Sequence, residues 1–367
     1  EYKMKINIII PGVGLSGGIR VLFKYAELLK EKGHDVVFYT PIKAYDVKNN
    51  KSELFNKGHV LTNSLKRVNA YCFKKNQNKT GFDVTVKAIP FIADKFIRDG
   101  DVLLATAWPT AYSVAKLDEN KGKKVYFVQD YEIWNNAKLG KKSYTLPLKK
   151  ITISTWIKSK LIEQLHTTDI PIVYDGLDID VFRNKKTEYY NGKNELKILM
   201  LYHNLSKKGV EDGLLAYDML KAKNLNVKLS MFGLDRNPKI PSDVTYYCDP
   251  TREKLKKLYN ESDIFLYTSR EEGWGLTPLE AMASGCVVVG TNTGCMLDIG
   301  VNGENVLLSE PNEPVGLYEN IEKIIKNPDL VQRLAINGFE TVQQFSWKNA
   351  VNNFELVLKE VKNEDKK

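Results

Sequence analysis

Four cysteines and four histidines in 367 residues leave little room for thiol or metal chemistry. Cys72, Cys248, Cys286 and Cys295 form no CxxC pair and no Cys/His ligand spacing, which argues against a zinc site and against a disulfide framework. Buried free thiols in a reducing compartment are the expectation. No apolar run approaches the ~20 residues that a bilayer-spanning helix needs. The opening Glu1-Tyr-Lys-Met4 leads into an apolar strand without a signal-peptide core, so the expected location is cytoplasmic, peripheral at a membrane at most. Internal repeats and low-complexity segments are also missing. What remains is the balance of a globular protein, 43% hydrophobic and 27% charged, long enough for two domains with separate cores.

Acidic charge is scarce in one half only. Residues 1–185 carry 31 Lys/Arg against 19 Asp/Glu, a net of +12, whereas residues 186–367 carry 23 against 26, a net of −3. A basic first half suits an anionic membrane surface or an acidic acceptor, or it only solubilises. The segment Leu61 to Lys75 places Leu61, Leu65, Val68 and Cys72 at helical spacing among lysines, Arg67, Tyr71 and Phe73, as a membrane-facing helix or a helix packed on a sheet would.

Along the chain, apolar strands alternate with helical spacing, the signature of parallel α/β sheets. Strands are expected at 4–10, 35–40, 101–105, 124–128 and 151–154, with another starting at Ile170. After a polar stretch from Arg183 to Glu195 they resume at 197–202, 227–233, 244–248, 264–267 and 286–290. Gly12-Val-Gly-Leu-Ser-Gly-Gly18 matches the dinucleotide loop G-x-G-x-x-G. A nicotinamide site also wants an acid at the end of the second strand, where this chain has Tyr39-Thr40-Pro41, so a dehydrogenase is disfavoured. Ligands of open α/β sheets lie at strand C-termini, which makes Trp108, Gln129 and Asp130 site candidates.

The most informative stretch is Arg270-Glu-Glu-Gly-Trp-Gly-Leu-Thr-Pro-Leu-Glu-Ala-Met-Ala-Ser-Gly285, between a buried strand and a helix. Gly273 and Gly275 allow close backbone approach, and the free N–H groups of Leu276, Thr277 and Leu279 face a ligand with the positive end of the helix dipole. That is a seat for phosphate. Glu272 in the loop and Glu280, expected in the first helical turn, add carboxylates suited to sugar hydroxyls.

This motif, with the following Cys286-Val-Val-Val-Gly290 and Thr291-Asn-Thr-Gly294, resembles the retaining, nucleotide-sugar-dependent glycosyltransferases of the GT-B fold, family 4 (glycosyl transferases group 1). The resemblance extends over almost the whole chain. It implies two Rossmann-like α/β domains facing across a cleft: 1–185 on the acceptor side, 186–345 binding the nucleotide sugar, and a C-terminal helix in 346–367 crossing back. It also implies that Glu272 contacts the transferred sugar, Glu280 the ribose, and the Gly273-Trp274-Gly275-Leu276-Thr277 backbone the diphosphate. Lys208 falls on the family's diphosphate-binding lysine, and His203 stands where an arginine is usual. Gln129-Asp130 occupies the place of a His-Asp or similar pair. Gly17, Gly18 and Arg20 fall on the loop that touches donor and acceptor, and Gly233 near the nucleotide pocket, with Val244 to Cys248 offering backbone to the base. Ile170 to Phe182 looks like the strand and Gly-x-Asp-x-x-x-Phe turn that close the first domain.

The expected activity is transfer of a sugar from a nucleoside diphosphate to an acceptor hydroxyl of a carbohydrate, glycolipid or glycoprotein, in bacterial-type cell-surface polysaccharide or glycoconjugate synthesis. The chain is read as carrying no Asp-x-Asp metal motif, so neither metal nor cofactor is expected, and no nucleic-acid partner. The alternative is a non-catalytic GT-B-like subunit that binds a nucleotide sugar or a partner. A nucleotide-sugar epimerase shares the architecture but not the 270–285 motif.

Overall fold

The computed structural model describes residues 3–12, 17–45, 53–68, 81–184, 186 and 188–364. The interior of the glycine loop, 13–16, and the stretch containing Tyr71, Cys72 and Phe73 lie outside the described residues. The chain divides into two compact units, one within 1–153, 157–175 and 350–367, the other within 154–156 and 176–349.

The first unit is a six-stranded parallel sheet: β1 (Lys5–Ile9), β2 (Asp35–Pro41), β3 (Thr85–Ile89), β4 (Val102–Ala105), β5 (Lys123–Val128) and β6 (Lys149–Thr152), in the order β3-β2-β1-β4-β5-β6. Register follows the apolar residues, with Ile8 beside Phe38 on one side and Leu104 on the other. All four residues of β4 are buried, as expected of central strands covered on both faces by helices. The helix Gly17–Glu31 turns Leu22, Phe23, Ala26 and Leu29 inward at the 3.6-residue period.

The second unit repeats the plan with β7 (Leu196–Leu201), β8 (Val227–Gly233), β9 (Thr245–Cys248), β10 (Ile264–Tyr267), β11 (Val287–Thr291) and β12 (Val306–Ser309), in the order β12-β11-β10-β7-β8-β9. Counted within each unit the order is the same, third-second-first-fourth-fifth-sixth, so the direction of winding reverses between β1 and β4 and again between β7 and β10. Loops leaving those neighbouring strands splay apart, and the crevice they leave is where such sheets hold ligands.

Three features differ from the sequence reading. Strands β3 and β12 are additional; both are edge strands, β3 is mostly exposed with only Ile89 buried, and neither has the long apolar run that marks a central strand. The strand expected from Ile170 is reduced to a single bridge between Thr152 and Ile172, because Pro171 has no N–H to continue a ladder. The unit boundary falls at 175/176 rather than 185/186. Gly176 belongs with the second unit, where a β-carbon on it would stand 2.6 Å from Trp347 Cα, and the Leu177 N–H donates to the Phe345 carbonyl at 2.8 Å.

The final helix, Trp347–Asn363, joins the first unit from Ala350 onward. Phe354 packs on Phe127 (5.0 Å between ring centres) and on Tyr25 (4.8 Å). Glu355 pairs with Lys32 at 2.9 Å and His34 at 3.1 Å. Burial opposes its charge, but hydrogen bonds from Lys359, Lys32 and His34 hold its pKa down to about 2.

Candidate functional site

In the second unit the loop after β7 and the loop after β10 are stitched to each other. Gly209 stands in the left-handed region (φ +60°) and caps the helix Val210–Ala222; a β-carbon there would meet the Thr268 carbonyl at 2.1 Å. Thr268 Oγ1 donates to the Lys208 carbonyl at 2.8 Å, and the Arg270 N–H to the Lys207 carbonyl at 2.7 Å. Arg270 then grips Asp212 with two bonds of 2.8 Å, fastening the loop to the first turn of that helix. Asp212 is buried, so the fork fixes both loops rather than decorating a surface.

This stitching brings together two residues that lie 64 apart in sequence: Lys208 Nζ donates to Glu272 Oε2, and each side chain is only 16% exposed. Ser269 Oγ donates to the same carboxylate oxygen at 3.2 Å. Beside them the helix Leu276–Ala283 starts after Gly275, which takes φ +91° and could not carry an ordinary side chain without strain. Pro278 has no N–H, so the free amides of the first turn are those of Leu276 and Thr277. The Cys295 N–H holds the Trp274 carbonyl at 2.7 Å, and Thr291 Oγ1 holds the Ser269 carbonyl at 2.5 Å, supporting the loop from below. A cation, a carboxylate and a row of amides therefore converge at the switch point between β7 and β10, an arrangement that binds a diphosphate and a hydroxylated group attached to it.

Glu280 is the fifth residue of its helix, not a first-turn residue as the sequence suggested, because the helix begins at Leu276. It accepts a 2.9 Å bond from the Tyr259 hydroxyl, and burial pushes its pKa up to about 7 against that bond. His203 lies exposed after β7 with Nδ1 accepting the Leu205 N–H at 3.0 Å. Partial desolvation first, and the Lys208 charge second, lower its pKa, so it is neutral at pH 7 and supplies no second cation. Gly233 closes β8 where a β-carbon would stand 2.5 Å from the Tyr202 carbonyl, a packing need. Gly273 is buried in the loop. The Trp274 ring is 3% exposed and packs on Phe345, 5.8 Å between ring centres, so only its backbone can serve the loop as expected.

In the first unit Gly18 and Gln129 are adjacent, a β-carbon on Gly18 falling 3.4 Å from Gln129 Oε1. That oxygen is buried without a hydrogen-bond partner among the described residues. Gly17 opens its helix with nothing within 4 Å of where a β-carbon would point, and Arg20 is exposed one turn further on. Asp130 Oδ1 accepts the Tyr131 N–H at 2.9 Å, which turns that oxygen toward its own loop. Trp108 is 2% exposed and donates from Nε1 to the Trp134 carbonyl at 3.2 Å. With Tyr45, Tyr112 and Leu139 it lines a hollow of about 520 Å³.

Sequence reasoning missed Ser269, Tyr259 and the partner of Arg270, since none of these carries a mark of its own in the chain. It also passed over two Asp-x-Asp triplets, Asp99-Gly-Asp101 and Asp178-Ile-Asp180. In the structure these carboxylates face cations: Asp99 pairs with Lys121 (2.8 Å), Asp101 with Lys362 (2.6 Å), Asp178 with Arg252, and Asp180 with Arg183 (3.7 Å). Among the described residues no cluster of His, Cys, Asp and Glu is suited to holding a metal ion.

Residues 182–341, which contain every part of the stitched site, match the family Glycosyl transferases group 1. That match covers less than half of the chain and lies within the second unit, which is the part similar to this family. Among curated relatives, an uncharacterised glycosyltransferase, MJ1178, of Methanocaldococcus jannaschii is 27% identical over 220 residues, 58% of this chain and 60% of that one. The capsular polysaccharide biosynthesis glycosyltransferase CapM of Staphylococcus aureus is 25% identical over 241 residues, 57% of this chain and 62% of its own. The matches thus span about three-fifths of these relatives. Among solved structures, Anabaena HepE in complex with UDP-glucose aligns with a TM-score of 0.72 at 14% identity, covering 97% of this chain and 99% of HepE. At that identity the likeness establishes the GT-B-like fold of two parallel six-stranded α/β sheets.

Proposed function

We propose that the chain is a retaining glycosyltransferase that moves a sugar from a nucleoside diphosphate sugar to an acceptor hydroxyl, in synthesis of a cell-surface polysaccharide or glycoconjugate. The convergence of Lys208, Glu272 and the Leu276–Thr277 amides at the β7/β10 switch point carries the reading. In the reaction the bond from the anomeric carbon to the β-phosphate oxygen breaks, and the diphosphate leaves with the electron pair. The acceptor oxygen bonds to the same face of that carbon, and its proton goes to the departing phosphate. Charge gathers on the diphosphate, so catalysis asks for fixed cations and dipoles there more than for a proton donor. Lys208 and the helix amides supply them. Glu272 accepts hydrogen bonds from the sugar and fixes the ring, and Glu280 accepts from the ribose. Gly18, Arg20, Gln129 and Asp130 serve the acceptor side, with no cofactor. UDP-glucose bound by HepE supports a UDP-sugar as the first donor to try.

The second reading, a binding subunit without turnover, draws on His203, which is neutral where a second cation would help. Turnover measured over a panel of UDP-, GDP- and ADP-sugars, with EDTA present throughout, separates the two. The expectation is activity with one donor class and a fall of ~10²-fold or more in kcat for Lys208→Ala. Donor binding without turnover of any sugar nucleotide would favour the binding subunit. The basic first half, and exposed Leu61 and Leu65 (62% and 60%) beside Lys66, support an acceptor presented at an anionic membrane surface. No helix among the described residues is long and apolar enough to cross a membrane.

A further inference from the structure

Tyr267 ends β10, directly before the loop that carries Ser269 and Glu272. Its side chain is 4% exposed, and its hydroxyl, shut off from solvent, has no hydrogen-bond partner among the described residues. A phenylalanine would fill the same space without stranding a polar atom, so the hydroxyl costs stability and calls for a reason.

The surroundings supply one. The hydroxyl lies 3.3 Å from where a β-carbon on Gly275 would stand and 2.8 Å from where one on Gly294 would stand. The stem of Glu272 flanks the same two points, Cγ at 3.2 Å from the first and Cβ at 2.9 Å from the second. Two glycines, with φ of +91° and +58°, thus leave a notch that Tyr267 and Glu272 share. Ser269, whose side chain interacts with the Tyr267 hydroxyl and partly offsets the rise in its pKa although the two do not meet hydrogen-bond geometry, donates to Glu272 Oε2 at 3.2 Å, and Lys208 donates to that same oxygen. Among the described residues no donor is bonded to Oε1. Burial, and then the Glu272 charge, raise the Tyr267 pKa well above its ordinary value, so the phenol keeps its proton at any working pH.

We propose that Tyr267 is a positioning residue for Glu272: its hydroxyl is a reserve donor that takes up the carboxylate when a bound diphosphate draws Lys208 away. The inference rests on the nucleotide-sugar reading above. In the structure Glu272 is held by Lys208. In the occupied site the ammonium faces phosphate, and a carboxylate with one remaining bond to Ser269 would be free to swing. A second donor from a rigid strand end keeps it aimed at the sugar.

The test uses Tyr267→Phe and Glu272→Gln, singly and together. Calorimetry reads the affinity for UDP, GDP and ADP and for UDP-glucose, GDP-mannose and ADP-glucose; kcat and Tm are read alongside. For Tyr267→Phe the account expects an unchanged or raised Tm and nucleoside diphosphate affinity within about twofold. It expects loss of the extra affinity contributed by the sugar, a kcat lower by about 10-fold, and a double variant no worse than Glu272→Gln alone. Unchanged kcat and unchanged sugar discrimination overturn the proposal, as does a double variant whose loss is the product of the two single losses. A large drop in Tm overturns it too, since the hydroxyl would then be bonded in the free protein. A wild type that binds none of the six nucleotides overturns the nucleotide-sugar reading itself, and the inference with it.

Discussion

Replacing Glu272 by glutamine should separate two jobs that the structure gives to one carboxylate. Glu272 neutralises Lys208, and both side chains are 16% exposed. At a contact of ~3 Å and an effective permittivity of ~20 the Coulomb attraction is ~5 kcal/mol. Desolvation of both ions offsets most of that, leaving a net of ~1 to 2 kcal/mol. This net is surrendered when Lys208 turns to a diphosphate. A neutral amide demands less, so Glu272→Gln should bind the cognate nucleoside diphosphate ~5- to 30-fold more tightly than wild type. Turnover should nevertheless fall by ~10²-fold, because the amide aligns the sugar poorly and offers a weaker acceptor as charge develops. Titration calorimetry with UDP, GDP and ADP gives the first quantity and steady-state transfer gives the second. A parallel loss of nucleoside diphosphate affinity and turnover would refute the reasoning, since Glu272 would then be supporting the phosphate seat instead of competing for its lysine.

Three further outcomes are expected. Glu280 has its pKa pushed up to about 7 by burial, and a carboxylate accepts from ribose hydroxyls better than its acid does, so the donor KM should fall as pH rises from 6 to 8; Glu280→Gln should raise KM and flatten that dependence, as steady-state kinetics across pH would show. Glu132 is buried against the Tyr126 hydroxyl at 2.5 Å and its pKa is pushed up to about 8 by that burial. The folded state therefore holds a proton that the unfolded chain releases above ~4.5, so this stability is full below ~4.5 and is lost as pH rises through about 8. Wild type should lose roughly 2 to 4 kcal/mol relative to Glu132→Gln over that window in denaturant melts; a constant difference between the two would contradict the burial argument. Finally, the protein should cosediment with anionic vesicles at low salt and release as salt rises, and no binding at low salt would point to a soluble acceptor.

How much of this was legible in the chain depends on the distance over which each feature is written. The central strands announce themselves because β4 and β10 are short runs of wholly buried residues. The edges β3 and β12 do not, since a strand paired on one side can leave half its residues to solvent. Pro171 shows the opposite failure: an apolar segment reads as a strand, but a residue without N–H limits it to one bridge. Within the site, the start of a helix after a glycine loop was readable because Gly273, Gly275 and Leu276 lie close together in the chain. The Lys208–Glu272 pair was not, because two loops 64 residues apart must first be joined by Thr268, Arg270 and Asp212. Trp274 was assigned by its backbone alone, and nothing in the motif told that its ring would fill the interior against Phe345. Glu280 could be placed on its helix, but nothing in the sequence told that Tyr259 would hold it.

The claim that Lys208, Glu272 and the helix amides form a transferase site is tested most directly by watching the anomeric carbon. Wild-type protein, a sugar nucleotide of α configuration and an acceptor are followed by proton NMR from the first minutes, with EDTA present. The account predicts a first-formed product of α configuration, released together with the nucleoside diphosphate. A first-formed β product, or an intact donor across UDP-, GDP- and ADP-sugars with acceptors both soluble and membrane-presented, would contradict it.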